Sequence, residues 1–183
     1  NDTYGAVIVS IPREKDRALA YLRDAVRRVP AGGTIIVDGQ KTDGIESLLK
    51  LCRARYDVRD IVSKDHGKLF VIRRRQDETD VTASVDLPEP GPAMQPFGFH
   101  TAPGVFSADG PDPGSVLLAD TLPPLAGRVA DLGAGWGYLS HRLLEAGDAE
   151  EVHLVEADWT ALACAKENVR SDRAVFHWAD ARD

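Results

Sequence analysis

The chain has 183 residues and 43% hydrophobic content, enough for one full globular domain or two small ones. No apolar run approaches the roughly 18 residues of a membrane helix, and no basic-apolar signal segment opens the sequence, so a cytoplasmic protein without a membrane role is expected. The net charge of −7 hides a split: residues 1–75 carry 16 Lys and Arg against 10 Asp and Glu, and residues 76–183 carry 6 against 19. The basic first segment is the candidate for contact with a phosphate backbone, with Arg73, Arg74 and Arg75 as candidates beside Arg27 and Arg28.

Residues 6–11 read as a short β-branched strand stopped by Pro12. Ala18, Leu19, Leu22, Ala25, Val26 and Val29 follow at helical spacing, closed by Pro30 and two glycines. A buried strand at 34–37 leads to a second amphipathic helix marked by Ile45, Leu48, Leu49, Cys52 and Tyr56. Residues 58–62 and 69–73 then read as an antiparallel hairpin. Residues 76–96 are acidic and proline-rich, the expected linker. Beyond it come a helix near 114–122, a strand ending at 132, and a helix over 138–146. A strand at 152–156, a helix over 159–169 and a strand at 174–178 complete the pattern.

Cys52 and Cys164 sit on helix faces and are expected to be buried thiols in a reducing compartment. The five histidines (66, 100, 141, 153 and 177) show no metal-ligand spacing, so no metal is expected. The first residue is Asn rather than Met, which fits a trimmed or fragmentary chain.

Chemistry concentrates where an apolar strand enters Asp131-Leu132-Gly133-Ala134-Gly135-Trp136-Gly137 and then a helix. Glycines let the backbone turn sharply and approach a ligand, and the helix start offers free N–H groups. The third glycine comes one residue too early for a dinucleotide fingerprint. Glu156, followed by Ala157, ends the next strand, where a carboxylate can accept ribose hydroxyl protons. The third strand ends in Ala179-Asp180-Ala181, placing an acid at three successive strand ends. Surface carboxylates explain any one of them, but three together fit a cofactor pocket better.

These residues resemble motif I of the class I S-adenosyl-L-methionine (SAM) methyltransferases. Phe99 to Ser107, with its Pro-Gly-Val-Phe-Ser segment, and Asp112-Pro113-Gly114-Ser115 are similar to the small-domain methyltransferase family. Within it, the ribosomal RNA small subunit methyltransferase C group, guanine-N2 enzymes with two tandem class I domains, is the most alike. Ser10 to Lys15 and Ile36 to Gly44 resemble the later part of that group's degenerate first domain.

The resemblance implies an α/β fold with a Rossmann-like class I methyltransferase sheet. Residues 1–75 would be the rear half of a degenerate domain and a candidate RNA-binding unit, and residues 97–183 the SAM-binding front half of a catalytic one. Half sheets leave edges and apolar faces bare, so either material is missing at both ends or the halves complete one permuted sheet. The resemblance further implies that Asp131, Gly133, Ala134, Gly135 and Gly137 hold the methionine end and that Glu156 with Ala157 holds the ribose. Asp180 and Ala181 would meet the adenine, and Thr101, Phe106 and Ser107 would lie in the segment covering the cofactor. Trp136 and Trp159 either line the adenosine pocket or serve packing.

The family's catalytic Asn-Pro-Pro-aromatic motif is expected after Asp183, and no Asn-Pro-Pro occurs in the sequence. Leu122-Pro123-Pro124-Leu125 precedes the glycine turn and more simply ends a helix, while Ser10-Ile11-Pro12 looks like a decayed version without the amide. The implied partner is ribosomal RNA, with oligomeric state open. The alternatives are a protein-glutamine N5 methyltransferase and a non-catalytic SAM- or RNA-binding module.

Overall fold

The computed structural model describes residues 2–74 and 87–182. The chain divides into two compact units, Asn1–Pro90 and Gly91–Asp183.

In the first unit, β1 (Ala6–Ser10) is followed by α1 (Lys15–Arg28), β2 (Thr34–Gln40), a short 3-10 turn, α2 (Ile45–Arg53), β3 (Asp57–Lys64) and β4 (Gly67–Arg73). The sheet order is β1-β2-β4-β3, with β1 and β2 parallel and the β3–β4 hairpin antiparallel. Asp65 and His66, both at positive φ, form the two-residue turn of that hairpin, a backbone twist that matches the twist of its strands. The apolar stripe of α1 (Ala18, Leu22, Ala25 and Val26) packs with Val37 of β2 and Phe70 of β4 in one core. Each fully buried side chain such as Leu22 contributes about 1.5–3 kcal/mol.

A helix end leaves carbonyls without intrahelical partners. In α1 the Arg74 guanidinium donates to the carbonyls of Val26 and Val29, and Tyr4 N–H donates to that of Arg28. Arg74 therefore points inward as a helix cap rather than outward as a handle. Arg73 stays exposed and donates to Thr34 Oγ1 at 2.7 Å. Arg75 lies outside the described residues, as does most of the expected linker. The linker's tail is not free: Leu87 is buried in the first core, its carbonyl accepts from Arg23, and Glu89 pairs with Arg23 and Arg27 on α1.

In the second unit a two-stranded ladder of β5 (Ala93–Met94) and β6 (His100–Thr101), unforeseen in the sequence, precedes α3 (Pro113–Thr121). Asp112 caps α3, accepting from Ser115 N–H at 2.9 Å. Then follow β7 (Gly127–Leu132), α4 (Tyr138–Ala146), β8 (Ala149–Glu156), α5 (Trp159–Asn168) and β9 (Ala174–Trp178). The sheet is all-parallel in the order β7-β8-β9. Leu144, Val152, Leu154, Ala165 and Val169 fill the core between this sheet and its helices.

Among the described residues the first unit holds the four-stranded sheet, and the second holds the two-stranded ladder and the three-stranded sheet. Ile8 on β1 is 71% exposed and Leu132 on β7 is 64% exposed. No helix among the described residues is long and apolar enough to cross a membrane.

Candidate functional site

Parallel pairing fixes where the site lies. Asp131 lies opposite Leu154 and Glu156 opposite Trp178, so all three strands end at the same edge, the position where open α/β sheets take their ligands. The chain leaving β7 must reverse at once into α4. Gly133 and Ala134 N–H both donate to the Val155 carbonyl, at 2.9 and 3.1 Å, which seats the bend on the end of β8. Gly133, Gly135 and Gly137 all have positive φ.

The glycines differ in their surroundings. A Cβ on Gly135 would meet nothing within 4 Å, so its backbone borders open space. A Cβ on Gly137 would lie 2.9 Å from Val169 Cγ2 and 3.2 Å from Ala165 Cβ, so here glycine permits close approach of α5. One glycine keeps a space clear and the other closes a packing contact.

Glu156 is held in place on both oxygens. Oε2 accepts from Gly135 N–H at 2.8 Å and Oε1 from Asp158 N–H at 2.7 Å. Asp158 in turn caps α5, accepting from Thr160 N–H. Asp131 accepts from Ser140 Oγ at 2.7 Å, at the start of α4. Burial pushes the Asp131 carboxyl above its ordinary range, the charge of Glu156 adds to that rise, and the Ser140 hydrogen bonds oppose it. Two carboxylates thus share one strand edge closely enough to repel each other. Such a pair is relieved by a ligand that brings cationic or hydroxyl donors.

A hollow beside the turn is bordered by Phe106, Ser107, Asp112, Ser115, Gly133 and Gly135. Phe106 is 71% exposed at its rim. Thr101 does not reach it: its side chain is buried and donates to the Ala108 carbonyl, pinning the base of the 102–108 loop. Ala134 packs its methyl into the core and leaves only backbone toward the turn. Ala157 and Ala181 are exposed. Asp180 follows β9, with Ala179 N–H donating to the Glu156 carbonyl, and its carboxylate is gripped by Arg182, which holds it below the usual range.

Of the two tryptophans weighed for the pocket, Trp136 both borders this hollow and packs behind it. It is 4% exposed, donates to the Phe106 carbonyl at 3.1 Å, and lies among Phe97, Phe99 and Tyr138. Trp159 is open to solvent. Pro123 and Pro124 follow the end of α3 and take no part in the turn.

Asn168 went unnoticed in the sequence. Its amide accepts from His100 N–H at 2.6 Å and donates to the carbonyls of His100 and Trp136, each at 2.8 Å, tying β6 to the glycine turn. Nothing local in the sequence marks it, because both partners are distant. Ser140 was likewise unmarked. The Asp158 cap was legible as an acid just before an apolar helix.

Residues 96–183 match the family model described as "Methyltransferase small domain". The chain is 31% identical over 165 residues to the ribosomal RNA small subunit methyltransferase C of Shewanella loihica, covering 88% of this chain and 48% of that protein. It is 32% identical over 161 residues to the protein of the same name from Sodalis glossinidius, covering 85% and 44%. The chain thus spans about half the length of the curated relatives it matches. Among solved structures it superimposes on the T. thermophilus 16S rRNA N2 G1207 methyltransferase in complex with AdoMet and guanosine. The TM-score is 0.74 at 26% identity, covering 97% of this chain and 50% of that one.

Proposed function

From the match of residues 96–183 to the methyltransferase small domain model, we propose that this protein is a member of that family, binds SAM and serves the N2 methylation of guanine in ribosomal RNA. The observation that carries the proposal is Glu156, fixed by the Gly135 and Asp158 amides beside the buried Asp131 and an open bend. The donor set fits the cofactor. SAM brings an ammonium and a sulfonium, which relieve the Asp131–Glu156 repulsion, and ribose hydroxyls, which a carboxylate accepts.

Bound SAM would supply an activated methyl group, and the residues here orient and enclose it. Asp131 with the amides of Gly133 to Gly137 holds the amino-acid end, Glu156 the ribose, and Asp180 with Ala181 the adenine. Phe106 and Ser107 cover the hollow. Preorganised partners of this kind lower the entropic cost of reaction. The sequence holds no Asn-Pro-Pro, so the proposal assigns cofactor binding, not the base clamp, to these residues. Residues 1–75 act as a degenerate methyltransferase-like domain on the RNA side, with the exposed Arg73 rather than the inward Arg74 as a phosphate contact. The setting is the cytoplasm.

Titration calorimetry with SAM tests the assignment. Glu156→Ala removes an acceptor of charge-assisted bonds worth about 1.5–3 kcal/mol and is expected to weaken binding roughly tenfold or more. Gly135→Trp fills the open bend and abolishes binding. Unchanged affinity in both variants would remove SAM from the proposal. A second reading is binding without transfer. Incorporation of labelled methyl into naked ribosomal RNA separates the two.

A further inference from the structure

Trp159 opens α5 and Trp178 closes β9, and the two indoles meet edge to face with ring centroids 5.1 Å apart and planes at 69°. They are 57% and 65% exposed, unlike the buried Trp136. Exposing two large indoles side by side forgoes burial that the fold elsewhere exploits, so the pair calls for a partner. The pair is also held in place. Trp178 Nε1 donates to the Ala157 carbonyl at 2.9 Å, which satisfies its only polar group within the protein and leaves its ring open. Lys166 Nζ lies 5.4 Å from the Trp159 ring centroid and has no carboxylate partner among the described residues. The nearby acids are already matched: Asp180 by Arg182 and Glu167 by Arg170. Rigid π-faces beside one uncompensated cation suit a partner that is aromatic and carries an anionic group at that point.

We infer that Trp159, Trp178 and Lys166 form a stacking platform for an unpaired nucleotide of the RNA substrate, with the base on the indoles and its phosphate at Lys166. Single-stranded RNA offers splayed bases to such faces, whereas a duplex hides them. The inference rests on RNA being the substrate and gives that substrate a contact beside the strand end that carries Glu156. A protein surface would need more contiguous apolar area than two side chains provide.

The test uses the full chain and a labelled single-stranded oligouridylate of about ten nucleotides, followed by anisotropy at several salt concentrations. Trp178→Ala and Trp159→Ala are each expected to weaken RNA binding about tenfold. Trp178→Phe should retain most of the affinity, and Lys166→Gln should flatten the salt dependence. A duplex of equal length should compete poorly, and calorimetry should find SAM affinity unchanged in Trp178→Ala. Unchanged RNA affinity in both alanine variants overturns the platform. Equal loss of SAM affinity in Trp178→Ala assigns the pair to the cofactor instead. Concentration-dependent self-association that vanishes in Trp178→Ala assigns it to a second copy of the chain. RNA binding without SAM binding by the unaltered protein leaves the platform standing and removes the cofactor proposal.

Discussion

Gly137 and Gly135 lie two positions apart in the same bend, yet a methyl group should affect them in opposite ways. At Gly137, φ is +89° and a Cβ would stand 2.9 Å from Val169 Cγ2 and 3.3 Å from the Ala165 backbone. An L-residue in the left-handed region costs about 1–2 kcal/mol. Forcing a methyl against a packed helix adds about 1–3 kcal/mol, because Val169 and α5 must give way. Gly137→Ala should therefore destabilise the second unit by about 2–5 kcal/mol, a fall in Tm of roughly 10 °C or more for a unit of that size. At Gly135 the φ is +56° and no atom stands within 4 Å of the added carbon, so only the backbone cost of about 1–2 kcal/mol remains. Tryptophan emission during thermal or urea unfolding is the assay, and it isolates the unit, since Trp136, Trp159 and Trp178 all belong to it. In calorimetry the order reverses: Gly135→Ala stays folded and loses SAM affinity. Equal midpoints for the two variants would refute the claim that α5 presses on the bend.

Burial holds the Asp131 carboxyl above its ordinary range, with Glu156 adding to the shift. A raised folded-state value means a stability contribution present below the unfolded pKa and lost as pH rises through the folded value. Asp131→Asn removes that loss, so the variant should gain on the unaltered chain as pH goes from acid to neutral, while binding SAM more weakly. A stability difference that does not vary with pH, measured by urea titration, contradicts this. Asn168→Ala deletes three hydrogen bonds and should cost about 2–4 kcal/mol, read from the same emission transition. If the loss stays within a few tenths of a kcal/mol, β6 is held to the turn by packing alone. Burial pushes the Cys52 thiol up to about 12, so a thiolate-directed reagent should leave it unlabelled in the native protein and label it on unfolding. Rapid native labelling at neutral pH would show that the first core opens.

Periodicity determined most of the elements, because the apolar stripe of α1 and the β-branched run of β2 are local patterns that local backbone preferences obey. The glycine bend was equally legible, since its chemistry lies within seven consecutive residues, and so was Glu156 at its strand end. What the sequence could not supply were relations between distant groups. The β5–β6 ladder is two residues long on each side, too short to leave a pattern. Asn168 gains its role from His100 and Trp136, and Arg74 from the exposed carbonyls of α1, partners no spacing rule connects. A run of arginines reads as a charged surface, but an unsatisfied helix end nearby drew one of them inward. Likewise Trp136 and Trp159 look alike in the sequence, and only the packed aromatic cluster around the first and the bare edge around the second separate them. The sequence alone determined which atoms stand at the strand tips, because alternation and turn chemistry act over a few residues. Which side chains border the open bend and which hold the frame was decided by tertiary structure, because burial and hydrogen-bond completion are settled between segments far apart in the chain.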